Sequence, residues 1–265
     1  MLRLSMNETT TFRWSFEEDV TNYVAAGIPA IGVWRPKLSD FGEEKGIELL
    51  KDSNLKASHL LWAGGFTGSD GRSFRESVDD AKEALKTASA LGAPPLVIYS
   101  GPRAGHTNNH ARRLLKEAVA ELTPLAIELN VKLALEPMHP NCADGWTFLT
   151  SLDDTLELLE ELDCPQAKMV FDTYHLCQNG LCINRIEEIV PQIAIVQLGD
   201  AKRPPCGEQN RCQLGEGTIP LKEIVNALCD AGYDGFYDIE LLGEDVETSD
   251  YQSLLKHAKE TFIGE

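Results

Sequence analysis

Short apolar runs alternate with longer stretches of helical period along almost the whole chain. The runs are LRLSM at 2–6, IPAIGVW at 28–34, LKASHLLW at 55–62, PLVIYS at 95–100, VKLALE at 131–136, AKMVFD at 167–172, IAIVQL at 193–198 and GFYDIE at 235–240. Between them lie amphipathic segments such as FEEDVTNYVAAG, SVDDAKEALKTASALG, NNHARRLLKEAVAELTPLAIELN, SLDDTLELLEEL, PLKEIVNALCDAG and YQSLLKHAKETFI. Gly27, Gly92, Asn130 and Gly232 stand where these segments stop, a position that favours positive φ. Ser151 and Asp154 read as a helix start. Strand–helix alternation implies parallel strands joined by right-handed crossovers. Eight units predict a single (β/α)8 TIM barrel over 1–265. The competing doubly wound sheet would carry G-x-G-x-x-G after its first strand, and none stands there.

In such a barrel the chemistry sits at the C-terminal strand ends. The fifth run ends in Glu136 and is stopped by Pro137. The sixth ends in Asp172, the seventh carries Gln197 with Asp200 just beyond, and the eighth ends in Glu240. Four consecutive strands therefore deliver oxygen donors to one rim. Carboxylates brought that close resist ionising together, and a divalent cation removes the conflict, leaving about one net negative charge. Oxygen ligands suit a hard ion, Mn²⁺ or Mg²⁺, with Co²⁺ or Zn²⁺ as further choices. The expected metal ligands are Glu136, Asp172, Gln197 and Glu240. Glu136 and Glu240 are the expected catalytic acid–base pair.

Composition narrows the partners. The 265 residues carry a formal net charge of −18, which opposes nucleic-acid phosphates and anionic membrane surfaces. No apolar stretch approaches the length of a membrane span, and MLRLSMNETTTFRW does not read as a signal peptide. A cytoplasmic protein is expected. The seven cysteines form no C-x-x-C pair and are expected to be reduced and mostly buried, with a Cys206–Cys212 pair conceivable only under oxidation.

The segments LEPMHP, VFDTYH, VQLGDAKRPP and YDIELLGED resemble those of the xylose isomerase-like barrel superfamily of sugar phosphate isomerases and epimerases. Ketose 3-epimerases, inosose dehydratases and endonuclease-four-type repair enzymes belong to it. LGEGTIPLKEIVNALCDAGYDG is similar to the family's glycine-rich approach to the last strand, and FRWSFEEDVTNYVAAGIPAIGVWRPKL to its N-terminal part. The resemblance implies metal ligands at Glu136, Asp172 and Glu240, with Gln197 where the family has histidine. It implies a substrate-contacting histidine at His175 and an arginine at Arg203, and association as a dimer or tetramer. Cys142, with Asp144 nearby, stands where ketose epimerases tend to carry a further acid.

The expected activity is a metal-dependent sugar isomerase or epimerase, acting by proton abstraction next to a carbonyl through an enediolate. A dehydratase using the same enolate and a non-catalytic sugar-binding barrel are the alternatives. A repair phosphodiesterase would want several histidine ligands, but few of the six His stand at strand ends and the charge of −18 repels DNA. His139 and His59 are further substrate-binding candidates, with an ordinary surface or core histidine as the plain alternative. Trp34 and Trp62, with Trp146, offer aromatic faces for a sugar-like substrate or capping for the barrel.

Overall fold

A computed structural model describes residues 2–263, so the expected domain limits at 1 and 265 lie outside the described residues. The eight apolar runs all become strands: β1 Arg3–Asn7, β2 Ala30–Trp34, β3 Lys56–Gly64, β4 Pro95–Tyr99, β5 Lys132–Leu135, β6 Ala167–Asp172, β7 Ile193–Leu198 and β8 Phe236–Ile239. They pair in sequence order, all parallel, and β8 returns to β1, closing the barrel.

Side chains alternate across each strand. Val170 and Asp172 of β6, Ile195 and Gln197 of β7, and Asp238 of β8 with Glu240 just beyond therefore share the inner face. Leu61, Val97, Ala134, Val170 and Ile195 form an apolar plug inside the barrel. The polar side chains lie above it. A larger apolar layer joins the strands' outer faces to the helices.

The stop signals are used as expected. Gly27 and Gly92 end helices at φ 69° and 68°, and Ser151 Oγ accepts from the Asp154 N–H. Two helices, Arg35–Phe41 and Glu43–Ser53, were not anticipated. Gly42 divides them at φ 104°, and the second carries few apolar side chains, Ile47, Leu49 and Leu50. Among the described residues, no helix is long and apolar enough to cross a membrane.

One cysteine expectation is corrected. Cys177 and Cys182 form a disulfide, because the chain doubles back after β6 and brings their Cα atoms to 5.4 Å. Cys206 and Cys212 are free.

Candidate active site

Glu136 follows β5 directly. Its backbone N–H still donates to Ile98 O of β4 at 3.0 Å, so the strand register fixes the side chain before Pro137 ends the pairing. Asp172 closes β6, and its register partner on β7 is Gln197. Glu240 follows β8, with its N–H on Leu198 O at 3.1 Å. All four side chains are buried, at 0–2% exposure. The rim predicted from strand ends is formed.

Asp172 also caps the short helix Thr173–Leu176. Its Oδ1 accepts from the N–H groups of Tyr174 (2.7 Å) and His175 (3.2 Å). That turn carries His175 into the cluster, and the ligand atoms of Glu136, Asp172 and His175 all lie within 4.8 Å of one another. His175 Nδ1 accepts from the His139 N–H at 3.2 Å. The neutral ring then carries its proton on Nε2 and acts as a donor there. Burial keeps it neutral, with a pKa lowered to about 4. His139 thus orients His175 through its backbone, while its own Nδ1 accepts from the Asn141 N–H.

Glu136 Oε2, Glu240 Oε2 and both amide atoms of Gln197 are buried and have no hydrogen-bond partner among the described residues, although Glu240 Oε2 has a guanidinium 3.3 Å away. Burial raises the Glu136 carboxyl well above its ordinary range, and the Glu240 and Asp172 charges raise it further. Burial pushes Glu240 up to about 7, against the pull of a neighbouring guanidinium. Unpartnered oxygens on two carboxylates and an amide, beside Asp172, are a donor set that fits one hard cation.

The arginine at this cluster is Arg211, and this corrects the role expected of Arg203. Arg203 is exposed, in a surface cleft with Tyr174, Pro204 and Cys206. Arg211 is 1% exposed, and its Nη2 lies 2.8 Å from Asp172 Oδ2 and 3.3 Å from Glu240 Oε2. Arg203 lies nearer β7 in sequence, but the loop leaves it on the outside. Arg211 is carried back because its N–H donates to Leu242 O at 2.7 Å, just past β8.

His59 is also corrected. It is fully buried below the rim, where Nδ1 meets Ser58 Oγ at 2.9 Å and Nε2 lies 3.6 Å from Asp238 Oδ2. β3 continues to Gly64, so His59 sits one layer deeper than a strand end. Trp34 and Trp62 are half-buried. With the exposed Trp146 and with Tyr99 they form a continuous aromatic wall: Trp34–Trp62 at 6.4 Å, Trp62–Trp146 at 5.3 Å and Tyr99–Trp146 at 5.9 Å between centroids. Thr9, absent from the sequence-based set, supports Glu240: its Oγ1 lies 3.2 Å from Glu240 Oε1. No local signal marks it, because the contact joins the two ends of the chain.

The chain is 23% identical to an inosose isomerase of Bacillus velezensis, over 98% of this chain and 95% of that one. A solved structure of a Sinorhizobium meliloti protein superposes with a TM-score of 0.90 at 27% identity, covering 99% and 98% of the two chains. The IOLI protein, solved with a binding zinc atom, shares the fold with a TM-score of 0.84 at 20% identity, covering 99% and 97%. Residues 20–261 match the family described as xylose isomerase-like TIM barrel. With a closed eight-stranded parallel barrel and a match over nearly its whole length, the chain belongs to the xylose isomerase-like TIM barrel family.

Proposed function

We propose that the chain is a divalent-metal-dependent isomerase or epimerase of a small polyhydroxylated carbonyl compound such as a sugar, keto-sugar or inosose. The observation that carries this reading is the pair Glu136 and Glu240. Each presents one buried carboxylate oxygen without a hydrogen-bond partner among the described residues, at the floor of the barrel mouth. The inosose isomerase relative supports the substrate class, and the zinc-bearing IOLI structure supports a metal.

Glu136 and Asp172 would hold the cation, with Gln197 Oε1 as a neutral donor. The cation supplies Lewis acidity, polarising a carbonyl and offsetting the charge of an enediolate. The protein's own groups do the rest. Glu240 uses Oε2 to take the proton next to the carbonyl, while Thr9 steadies Oε1. Epimerisation, unlike isomerisation, requires a second acid–base group, and Glu136 takes that part through whichever carboxylate oxygen is not engaged with the cation. His175 Nε2–H donates to a substrate oxygen. The aromatic wall packs on the C–H face of a ring and excludes water.

The test is solvent exchange. Mn²⁺-loaded protein is incubated with keto-sugars and inososes in D₂O and followed by NMR. Deuterium entry next to the carbonyl is expected with the wild type and lost in Glu136→Gln and Glu240→Gln. Exchange that persists at the wild-type rate in both variants, or no exchange with any of these compounds, overturns the proposal.

A further inference from the structure

Arg211 is the residue the reaction scheme above leaves unused. Its guanidinium is buried against Asp172, proposed to hold the cation, and Glu240, proposed as the base. Asp172 Oδ1 is already taken by two backbone N–H groups, so Oδ2 is the oxygen left for a cation, and Arg211 Nη2 holds it at 2.8 Å. The same nitrogen lies 3.3 Å from Glu240 Oε2 and 3.5 Å from His175 Nε2.

The guanidinium is seated. Nη1 donates to Glu240 O at 3.1 Å, and Nε and Nη2 donate to Gln209 Oε1 at 3.2 and 2.9 Å. The Tyr174 ring stacks 4.7 Å from its carbon. Gly199 makes the slot: a Cβ there would lie 2.6 Å from Arg211 Nη1 and 3.1 Å from its Cδ.

Its carrier, the loop between β7 and the helix Leu221–Asp230, is pinned independently. Asp200 accepts from the N–H groups of Gly215 (2.9 Å), Gly217 (3.0 Å) and Ile219 (3.2 Å). The loop can therefore stay in place while the arginine side chain moves.

We infer that Arg211 is a built-in competitor of the divalent cation: it neutralises the Asp172–Glu240 cluster while no ion is bound, and its guanidinium must leave Asp172 Oδ2 for the ion to enter. This rests on the metal-dependent reading proposed above. A divalent ion bonds carboxylate oxygen at roughly 2.0–2.6 Å, and a second cation on the same oxygen repels it at short range in a water-poor setting. Metal affinity is thereby set lower than the donors alone would give. The metal-free site stays assembled, because three carboxylates are not left facing one another uncompensated.

The experiment measures Mn²⁺ dissociation constants and metal-free melting temperatures for the full-length wild type, Arg211→Met and Gly199→Ala. Arg211→Met removes the charge. Gly199→Ala keeps it and fills the slot. Both variants are expected to bind Mn²⁺ at least tenfold more tightly. Arg211→Met is expected to melt earlier than the wild type when metal-free and to recover that loss when Mn²⁺ is added. Where one variant does not fold, the other gives the same readout. Equal or weaker Mn²⁺ binding in the folded variants overturns the competition and leaves the metal-dependent reading standing. No Mn²⁺ binding by any of the three proteins overturns both.

Discussion

Thr9 Oγ1 and Glu240 Oε1, 231 residues apart in the chain, meet at 3.2 Å inside the barrel mouth. The same hydroxyl lies 2.8 Å from Asn7 Oδ1, and Asn7 Nδ2 donates to Asp238 Oδ2 at 2.8 Å. One end of the Glu240 carboxylate is thus tied to a polar layer beneath it, and the other end faces Arg211 Nη2 at 3.3 Å. A hydrogen bond to a charged group contributes about 1.5–3 kcal/mol, and 1.4 kcal/mol is a factor of ten in rate. Thr9→Val is expected to lower kcat by roughly tenfold or more with little change in KM. Steady-state kinetics on an exchange-active substrate checks it.

Gly32 lies against the deep pair in the barrel. A Cβ there would stand 2.5 Å from His59 Cε1 and 2.9 Å from Asp238 Oδ1, both fully buried and unable to retreat. Gly32→Ala is expected to destabilise the fold by about 1–3 kcal/mol, as overpacking does. Urea unfolding at one pH measures the loss.

His59 and Asp238 also set a pH dependence. Burial lowers His59 from 6.5 to about 3 and raises Asp238 well above 3.8, so the folded pair keeps one proton, on Asp238. The unfolded pair also holds one proton between pH 3.8 and 6.5, on histidine, so stability does not change through this pair in that window. Above 6.5 the unfolded pair loses its proton and the folded pair keeps it. Stability from the pair then falls with rising pH, by about 1.4 kcal/mol per pH unit, until the Asp238 carboxyl itself ionises. Relative to a His59→Asn/Asp238→Asn double variant, the wild type should lose stability as pH rises above 6.5, until the raised Asp238 carboxyl ionises. Urea unfolding across that range decides it, and a parallel pair of curves would refute the shared proton.

Trp146 is the exposed end of the aromatic wall, 5.3 Å from Trp62. If the wall binds ground state and transition state alike, Trp146→Ala should raise KM roughly three- to tenfold with kcat nearly unchanged. A fall in kcat at constant KM would assign the ring a part in the reaction itself.

The site was legible where it follows strand geometry. Glu136, Asp172 and Glu240 each end an apolar run and Gln197 lies one residue before the end of its own, and parallel strands in a closed barrel must send such residues to one rim. His59 was placed one layer too high, because LLWAG reads as a strand end at Trp62 while the pairing continues to Gly64. The helices at 35–53 are not legible because Gly42 splits them and residues 43–53 offer few apolar positions beyond Ile47, Leu49 and Leu50.

What the sequence determined by itself is the barrel and the identity of its strand-end donors, since both follow from short-range periodicity repeated eight times. What only the tertiary structure decided lies in contacts made through irregular segments. Arg211 rather than Arg203 reaches the carboxylates because a backbone bond to Leu242 folds its loop inward. Thr9 meets Glu240 because β1 pairs with β8. Cys177 meets Cys182 because the chain turns back after β6. None of these is written in local pattern, because each depends on where an irregular segment is carried once the barrel has closed.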